Sequence, residues 1–597
     1  MDFQTAIALV SGIFSHILYF RNGEHHSRGI LYVRLALLLP VIVAAHVTYL
    51  LNKPVLLALT LVLKFELQYL FGIYTSILLY RISPFHRLRS YPGPITYRLS
   101  KLTHAFHNRT FKGYQNLYSL HQKYGDYVRT GPSELSIIDP DAVEAIFAFN
   151  SQCTRAAWYG MADPIKAIFH TRDRAEHEKR RQVWSQGLSV KSLKEYESRI
   201  EQHIQKLVEK IGDACAEKKP LNASTWLNYL SFDVMGEIGF GRGFGMLESG
   251  EKLDALKILE NGQMGLGIFG VVPWLFMMLT KIPWISAEHD VFVKWCEKQM
   301  EDRKKRTAKV TDIAAALIRN DADSTEKAMS QQWLIGDSRI LIVAGSDAVA
   351  SSLVFALYHL AQDPLHTDTI RKELGRISGK PDAVALQNQA PYLNAFIAEV
   401  LRLWPPNPSG VLRQTPRDGV QVGPIYIPGD VTVCMPFWTF HRSPKCFLRP
   451  DTFLPERWLS QPELILRSEA YMPFGYGAYA CIGKQLALME MRLTLARLIQ
   501  RFDIWFASGE DGRRLLEGSK DWFTWGLGDL MLVFAEHRCC GNVDLAAVDS
   551  QPGSNGQGCV VTRDAYFRVK GDGANNVYAI GDVVSSSKKD CHRGLML

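Results

Sequence analysis

The sequence predicts a mainly α-helical protein with a small β part, preceded by N-terminal transmembrane helices. The membrane part rests on three apolar runs near the N-terminus, at Thr5–Phe20, Ile30–Leu51 and Pro54–Tyr80. A helix crosses a bilayer core with about 20 apolar residues, so the second and third runs are long enough and the first is borderline. The helical part rests on two long segments, Gln331–Gln362 and Lys484–Phe502.

Composition excludes several classes of protein. The chain has 597 residues, of which 47% are hydrophobic and 21% charged, with a net charge of +8. This apolar content excludes a disordered chain, and the absence of a clustered Lys/Arg stripe predicts no nucleic-acid partner. The ten cysteines are scattered without paired CxxC spacing, which disfavours a zinc site or a disulfide scaffold and suits a reducing compartment.

Loop charges predict the orientation of the apolar runs. The first connection contains Arg21 and Arg28, and the second contains Lys53 as its one basic residue. Arg81, Arg87 and Arg89 follow the third run. The positive-inside rule then puts the N-terminus in the lumen and residues beyond 81 in the cytoplasm. A cleaved signal peptide is the alternative for the first run, which lacks a basic start and a small-residue cleavage site.

The anchor is predicted to end at residue 90, where a proline-rich turn begins. Tyr91-Pro92-Gly93-Pro94 disfavours helix because each proline fixes φ. A soluble domain therefore starts at residue 91, and its last predicted element is a strand at Leu530–Phe534.

A glycine-rich loop before a helix is the most informative stretch. Phe474–Gly483 holds three glycines around Cys481, and the helical run Lys484–Phe502 follows. Glycines let backbone amides approach a sulfur closely, and a helix N-terminus stabilises a thiolate. The loop is suited to hold a thiolate, although a buried inert cysteine in a glycine-rich turn is the alternative for Cys481 taken alone.

A second group of residues points to a buried charge cluster. Glu399 and Arg402 lie three apart on one helical face, and Pro405-Pro406 ends that helix. Pro455-Glu456-Arg457 supplies an arginine that completes a Glu–Arg–Arg cluster.

Together these motifs resemble the cytochrome P450 family of haem-thiolate monooxygenases, over residues 91–538. The signature F-x-x-G-x-R-x-C-x-G is matched at Phe474, Gly477, Cys481 and Gly483, E-x-x-R at Glu399 and Arg402, and P-E-R at Pro455–Arg457. The resemblance implies a P450 fold, haem b as cofactor and Cys481 as the axial ligand of its iron. It makes Glu399, Arg402 and Arg457 a structural cluster beneath the haem.

The resemblance also assigns residues to the haem propionates, with one departure. The family has a basic residue two positions before the cysteine, and this chain has Tyr479. A phenol donates a hydrogen bond but carries no positive charge. The cations are then expected from Arg413, after the E-x-x-R helix, and from His177 and Arg181. A solvated charged helix face is the alternative for His177 and Arg181.

The segment Gln331–Gln362 is predicted to be the distal helix. Its length also suits a fourth membrane span, but Arg339 and Asp347 near its middle argue against that. It resembles the family motif A/G-G-x-D/E-T, in which glycine makes room for dioxygen and the acid and threonine organise proton delivery. Gly345 and Asp347 match.

The threonine position of that motif is Ala348. Oxygen–oxygen cleavage needs protons delivered through an ordered hydrogen-bond chain. Ser346, Ser351, a water or a substrate hydroxyl is expected to substitute.

The resemblance implies a multi-pass membrane enzyme of the endoplasmic reticulum whose catalytic domain faces the cytoplasm. Its partners would be O2, NADPH-cytochrome P450 reductase and an apolar small molecule, as in fungal enzymes that oxidise secondary metabolites. Expected substrate contacts are Leu266–Leu279, the distal helix and Ser409–Val411, with plain core packing as the alternative.

Other functions remain open from the sequence. Ala348 motivates a haem-thiolate isomerase, dehydratase or peroxygenase without external electrons. A membrane haem carrier without turnover is a further alternative.

Two stretches resemble nucleotide-binding motifs. The spacing of Gly265, Gly267 and Gly270 matches GxGxxG but lacks the strand–helix context of a dinucleotide site. Residues 539–597 resemble the FAD-contacting end of a pyridine-nucleotide oxidoreductase, with Asp582 at the ribityl position. Because no N-terminal FAD fingerprint accompanies this tail, it is predicted to be non-functional, either a remnant or an annotation fusion with a neighbouring gene, rather than half of a bifunctional haem–flavin protein.

Overall fold

The computed structural model describes residues 3–163, 165–306, 311–322 and 327–537, together with residues 568–569 and 577–578. It confirms a mainly helical chain with few strands, preceded by apolar helices. The N-terminal helices are α1 (Phe3–Ser15), which continues into a π-helical turn at His16–Phe20, α2 (Gly29–Leu51) and α3 (Val55–Ile82).

Nineteen further α-helices follow within the described residues, besides short 3₁₀ turns: α4 (Ile95–Leu99), α5 (Leu102–Asn108), α6 (Gly113–Tyr124), α7 (Asp141–Phe147), α8 (Arg174–Gly187), α9 (Val190–Ala216), α10 (Ala223–Phe240), α11 (Met246–Ser249), α12 (Asp254–Phe269), α13 (Pro273–Leu279), α14 (Pro283–Lys305), α15 (Ile313–Ala322), α16 (Lys327–Gln362), α17 (Pro364–Leu374), α18 (Ala383–Gln389), α19 (Pro391–Leu403), α20 (Phe437–Phe440), α21 (Lys484–Arg501) and α22 (Arg513–Gly518).

The strands are short: β1 (Tyr127–Gly131), β2 (Glu134–Ile137), β3 (Thr154–Arg155), β4 (Leu221–Asn222), β5 (Val411–Gln414), β6 (Val420–Val422), β7 (Ile425–Ile427), β8 (Thr432–Met435), β9 (Phe502–Phe506), β10 (Lys520–Asp521), β11 (Trp525–Gly526), β12 (Met531–Glu536), β13 (Arg568–Val569) and β14 (Val577–Tyr578). The largest sheet has the order β1-β2-β8-β5-β3, in which only β2 and β8 are parallel. A second sheet has the order β4-β12-β9.

The first and third apolar helices cross at two glycines. A side chain at Gly12 would collide with the carbonyl of Tyr69, and a Cβ at Gly72 would lie 2.5 Å from the carbonyl of Leu9. Small residues let helix backbones approach closely in a bilayer, and side-chain hydrogen bonds then join the helices. Here His16 and Ser76 are hydrogen-bonded at 2.7 Å.

Burial separates α16 from the three N-terminal helices. All four are long and apolar enough to cross a membrane, but 67% of the apolar window of α16 is buried, against 17%, 11% and 17% for the others. The helix therefore lies in the core of the protein, packed against α10, α14 and α21. The prediction that it is not a fourth span is supported.

The junction between anchor and catalytic domain is a set of specific contacts. Arg87 donates to the carbonyls of Gly429 (2.7 Å) and Asp430 (2.9 Å). Arg172 holds Glu24, in the connection between α1 and α2, with two hydrogen bonds of 2.8 and 2.7 Å. The anchor is thus bound to the catalytic domain at its first connection and at its end.

Most of the predicted flavoprotein-like tail, including Asp582, lies outside the described residues. The predicted terminal strand is β12, one residue later at its start than expected.

Candidate haem-thiolate site

The loop before α21 presents the sulfur of Cys481. Among the six cysteines within the described ranges, only Cys481 has an exposed side chain. Its amide donates to the carbonyl of Phe474 at 2.8 Å, which closes the loop. Gly477 has φ +67°, and a side chain there would collide with the carbonyl of Phe147, so this position requires glycine.

The surroundings of Cys481 act on its thiol in opposite directions. The side chain of Cys481 is accessible, but the protein packed closely around it desolvates the thiol and raises the pKa of Cys481, whereas the amide of Gly483 and the positive charges of Arg181 and Lys484 favour the thiolate. α21 begins directly after Gly483, so its N-terminal dipole has the same effect. A metal cation at the sulfur would add the charge that completes this stabilisation.

Tyr479 lies at the centre of a cationic cluster two residues before the cysteine. The guanidinium carbons of Arg155 and Arg413 lie 4.6 and 4.8 Å from the centre of its ring, and the ring of His177 lies 4.7 Å away. Arg181 donates to the carbonyl of Ala480 at 2.7 Å. The structure therefore brings together the predicted residues His177, Arg181, Arg413 and Tyr479.

Helix α8 explains why two of these residues meet the loop. His177 and Arg181 are four apart and share one helical face. On the adjacent face, Arg180 (2.6 Å) and Trp184 (2.9 Å) donate to Asp337 of α16. The buried contact with α16 fixes α8. His177 is itself buried and Arg181 is partly buried, so their face of the helix is not a solvated one.

Three buried polar atoms of this cluster have no hydrogen-bond partner among the described residues: Nε of Arg155, Nδ1 of His177 and the hydroxyl of Tyr479. Buried polar groups in native proteins are almost always paired. Burial and the charges of Arg155, Arg181 and Arg413 lower the pKa of His177 to about 3, so the imidazole is neutral. Three cations and three unpaired polar atoms fit a ligand that carries carboxylates, such as the propionates of haem.

Arg155 was not predicted from the sequence. It belongs to β3, which pairs antiparallel with β5 so that Arg155 lies opposite Arg413. This pairing joins segments far apart in the chain. The only local signal is a single arginine between Thr154 and the apolar Ala156-Ala157-Trp158.

The predicted Glu–Arg–Arg cluster is formed and has no exposed surface. Glu399 accepts from Nε and Nη2 of Arg402 at 2.9 and 2.8 Å, and from Nε of Arg457 at 3.0 Å. Arg402 also donates to the carbonyls of His441 and Pro450. Burial acts to raise the pKa of Glu399, but the two arginines outweigh it and hold the pKa below its ordinary value.

The distal helix has the predicted residues in an uninterrupted α-helix. Gly345 packs against α10, where a Cβ would lie 2.5 Å from Cε of Met235. Ser351 donates to the carbonyl of Ala348 at 3.0 Å. Ser346 is fully buried, and its hydroxyl has no partner among the described residues.

Asp347 has a partner that the sequence did not indicate. Gln263 of α12 donates to its Oδ2 at 2.7 Å. Burial raises the pKa of Asp347 to about 6, while the hydrogen bond from Gln263 opposes this shift. Glu260, one helical turn before Gln263, pairs with Lys252 at 2.5 Å. Both charges act on the pKa of Asp347, which Glu260 raises and Lys252 lowers.

Two of the three predicted substrate segments line one cavity. Residues from Leu266 to Met278, in α12 and α13, and Ser409-Gly410, before β5, are parts of its wall. Gly265 and Gly267 lie inside α12 and Gly270 directly follows it, so the GxGxxG spacing is not a nucleotide loop, as expected.

Comparison with known proteins decides the family. The family model for cytochrome P450 matches residues 92–525. The chain is a cytochrome P450. The family binds haem through a cysteine thiolate, and Cys481 is the cysteine in the matching motif.

Several fungal P450s are similar to this one along most of their length. The monooxygenase notG' of Aspergillus versicolor is 38% identical over 527 residues, 88% of this chain and 96% of the relative. Tryprostatin B 6-hydroxylase of Aspergillus fumigatus is 37% identical over 543 residues, 89% of this chain and 96% of the relative. The monooxygenase lcsK of Purpureocillium lilacinum is 37% identical over 544 residues, 89% of this chain and 98% of the relative. This P450 is therefore a haem-thiolate monooxygenase related to fungal enzymes of secondary metabolism.

Proposed function

We propose that this P450 hydroxylates an apolar secondary metabolite at the cytoplasmic face of the endoplasmic reticulum, with electrons from NADPH-cytochrome P450 reductase. The observation that carries the proposal is the exposed residue Cys481 next to a cluster of cations, in which three buried polar atoms have no partner among the described residues. Haem bound there would supply an iron that activates dioxygen. The protein's part is to hold the cofactor, position the substrate and deliver protons.

Each part of the site has a proposed role. Cys481 would bind the haem iron, and Arg155, His177, Arg181, Arg413 and Tyr479 would hold the propionates. Phe474 and Gly483 fix the loop at its two ends, through the carbonyl and the amide described above. Glu399, Arg402 and Arg457 hold the segment below the haem to α19.

On the distal side, we assign proton delivery to Asp347 and Ser346, with Gly345 allowing α16 to pack closely. Gln263 keeps the carboxylate of Asp347 in place. Because Ala348 has no hydroxyl, we assign its role to Ser346, with a water or a substrate hydroxyl as the alternative donor.

The proposed orientation has two supports. Basic residues are concentrated in the first connection and after α3, as the positive-inside rule requires for cytoplasmic segments. The first connection also contacts the catalytic domain through Glu24 and Arg172, so both lie on the same side of the anchor. Protease digestion of sealed microsomes should cleave the catalytic domain without detergent, and protection of that domain would contradict the orientation.

The main test is the carbon-monoxide difference spectrum of the reduced full-length protein. A red-shifted thiolate Soret band is expected, and Cys481→Ser should lose it, whereas Cys446→Ser, at a buried cysteine, should keep it. An unchanged band in Cys481→Ser would refute the ligand assignment.

Turnover with tryprostatin B, the compound named for one relative, and with metabolite extracts should require NADPH and the reductase. Product formed without either would favour the isomerase, dehydratase or peroxygenase reading instead.

A further inference from the structure

A large cavity lies between the membrane anchor and the catalytic domain. Its volume is about 1150 Å³, and it is bounded by both parts of the chain. Ligand cavities in proteins have volumes of about 300–1,000 Å³, so this space accommodates a whole organic molecule. Neither the family signature nor the relatives' names assign a role to the anchor side of this cavity.

The anchor contributes more than one wall. Phe20 and the first connection from Arg21 to His26 line the cavity, followed by Tyr32 and Val33 of α2 and by Tyr74 and Ile77 of α3. Because α2 and α3 are long and apolar enough to cross a membrane, this side of the cavity would adjoin the bilayer.

The catalytic domain provides the opposite walls. Trp158 and Phe523, which stack at 4.8 Å, line it together with Trp274 of α13 and Ser409-Gly410. Ser409-Gly410 leads directly into β5, which carries Arg413 of the cationic cluster. The cavity therefore extends from the bilayer-facing helices to the strand beside the proposed haem site.

The first connection is held in place as an ordered wall. Glu24 is bound by both terminal nitrogens of Arg172, and His25 contacts the hydroxyl of Tyr32 at 2.7 Å. Arg172 also donates from Nε to the carbonyl of Arg155 at 3.0 Å. A bidentate arginine–carboxylate pair fixes geometry as well as charge. The connection is thus tied to the same residue that packs against Tyr479.

We propose that the first connection and the facing sides of α2 and α3 form part of the substrate-binding site, in which this cavity holds a ring-bearing apolar molecule. This deepens the proposed function and rests on it. Aromatic side chains from both parts of the chain supply the contact area. Tryptophan, tyrosine and phenylalanine stack well on the flat rings of a substrate. The anchor is then a determinant of which substrate is bound, as well as a tether.

The experiment uses full-length holoenzyme in phospholipid nanodiscs and benzophenone as an apolar, photoreactive aromatic probe. After irradiation, labelled peptides are mapped by mass spectrometry. Saturable labelling is expected on the catalytic wall, at the peptides that contain Trp158 and Phe523. The double variant Val33→Trp/Ile77→Trp narrows the cavity from the anchor side. It should raise the probe concentration for half-saturation of these peptides by about fivefold.

The matched control is Leu37→Trp/Leu79→Trp, on the same helices at exposed positions outside the cavity lining. It should leave the half-saturating concentration unchanged. Labelling of α2 and α3 alone, with none on the catalytic wall, would mean that lipid chains fill the space and would overturn the proposal. Equal effects of the two double variants would overturn it as well.

The result is distinguishable from a failure of the proposed function, because labelling needs neither NADPH nor turnover. A protein that lacks the thiolate Soret band but shows the cavity-specific labelling would refute the monooxygenase site alone. A protein with the band and with NADPH-dependent turnover but without catalytic-wall labelling would refute the cavity alone.

Discussion

Glu399 shows how far a short motif determines a buried site. Its spacing to Arg402 predicted a helical pair, and the family pattern predicted Arg457 as the third member. The remaining partners, the indole of Trp458 at 2.9 Å and the amide of Leu454 at 2.9 Å, come from a loop about 55 residues later. Such contacts depend on how the loop folds back, which no local pattern encodes.

Replacing Glu399 is therefore expected to destabilise the whole protein. Glu399→Gln leaves two buried guanidinium groups without a counter-charge, a loss of about 3–5 kcal/mol in the free energy of unfolding. The measurement is the thermal midpoint of haem loss in nanodiscs. Glu463→Gln, at an exposed glutamate, is the control. A midpoint equal to that of the control would contradict the role given to the cluster.

Arg155 carries a prediction about haem retention. It is buried and supplies a cation that Tyr479 lacks. Arg155→Gln should lower the haem content of the purified protein and speed haem transfer to apomyoglobin by about tenfold, since hydrogen bonds to charged groups contribute about 1.5–3 kcal/mol. Arg155→Lys keeps the positive charge, so this variant should lose less haem than Arg155→Gln. The control is Arg109→Gln, at an exposed arginine, which should transfer haem at the wild-type rate. If Arg155→Gln also transfers haem at the wild-type rate, Arg155 does not belong to the haem site.

At the level of elements, α16 was well predicted and α12 was not. The length of α16, its two internal charges and Gly345-Ser346-Asp347 identified a buried distal helix. Gln263 on α12 gave no signal, because a glutamine on an amphipathic helix is usually solvated and its contact with Asp347 depends on the crossing of two helices.

The contact between α12 and α16 predicts a shift in pH dependence. Burial raises the pKa of Asp347 to about 6, and Gln263 stabilises the ionised form. Gln263→Leu should raise that pKa further, so the acidic limb of the rate profile should move up by on the order of one pH unit. Asp347→Asn should abolish the limb. The readout is initial product formation from pH 5 to 8, with Asn261→Leu on the same helix as control; a limb that stays in place would contradict the role of Gln263.

The contact between α10 and α21 predicts a stability change with pH. Glu490 is fully buried, with Ser231 donating to it at 3.0 Å, and burial raises its pKa from 4.5 to about 8. The folded protein holds this proton while the unfolded chain releases it, so stability falls as pH rises from about 4.5 to about 8. At pH 8.5, Glu490→Gln should raise the thermal midpoint, with a gain on the order of 2 kcal/mol in the free energy of unfolding. At pH 5 the substitution should have little effect. A gain of equal size at both pH values would contradict the ionisation argument.

In the whole molecule, the sequence predicted the parts better than their arrangement. Apolar run lengths predicted three N-terminal helices, and the motifs predicted the catalytic domain. The crossing at Gly12 and Gly72 and the docking of Glu24 on Arg172 were not foreseen. A glycine within an apolar run looks the same whether it faces lipid or another helix, and an ion pair across 148 residues has no local pattern.

The boundary of the catalytic domain gives the last prediction. β12 is the central strand of its sheet: Leu532 lies opposite Phe506 of β9 and Leu221 of β4, and the amide of His537 donates to the carbonyl of Arg501 at 2.7 Å. A chain that ends after residue 538 keeps these contacts. It should retain the carbon-monoxide spectrum and the thermal midpoint of the full-length protein, and neither protein should contain flavin. A chain that ends at Asp529 lacks β12, exposes the edges of β4 and β9 and should fail to hold haem. Loss of the spectrum in the first truncation, or bound flavin in the full-length protein, would show that residues 539–597 belong to the working enzyme.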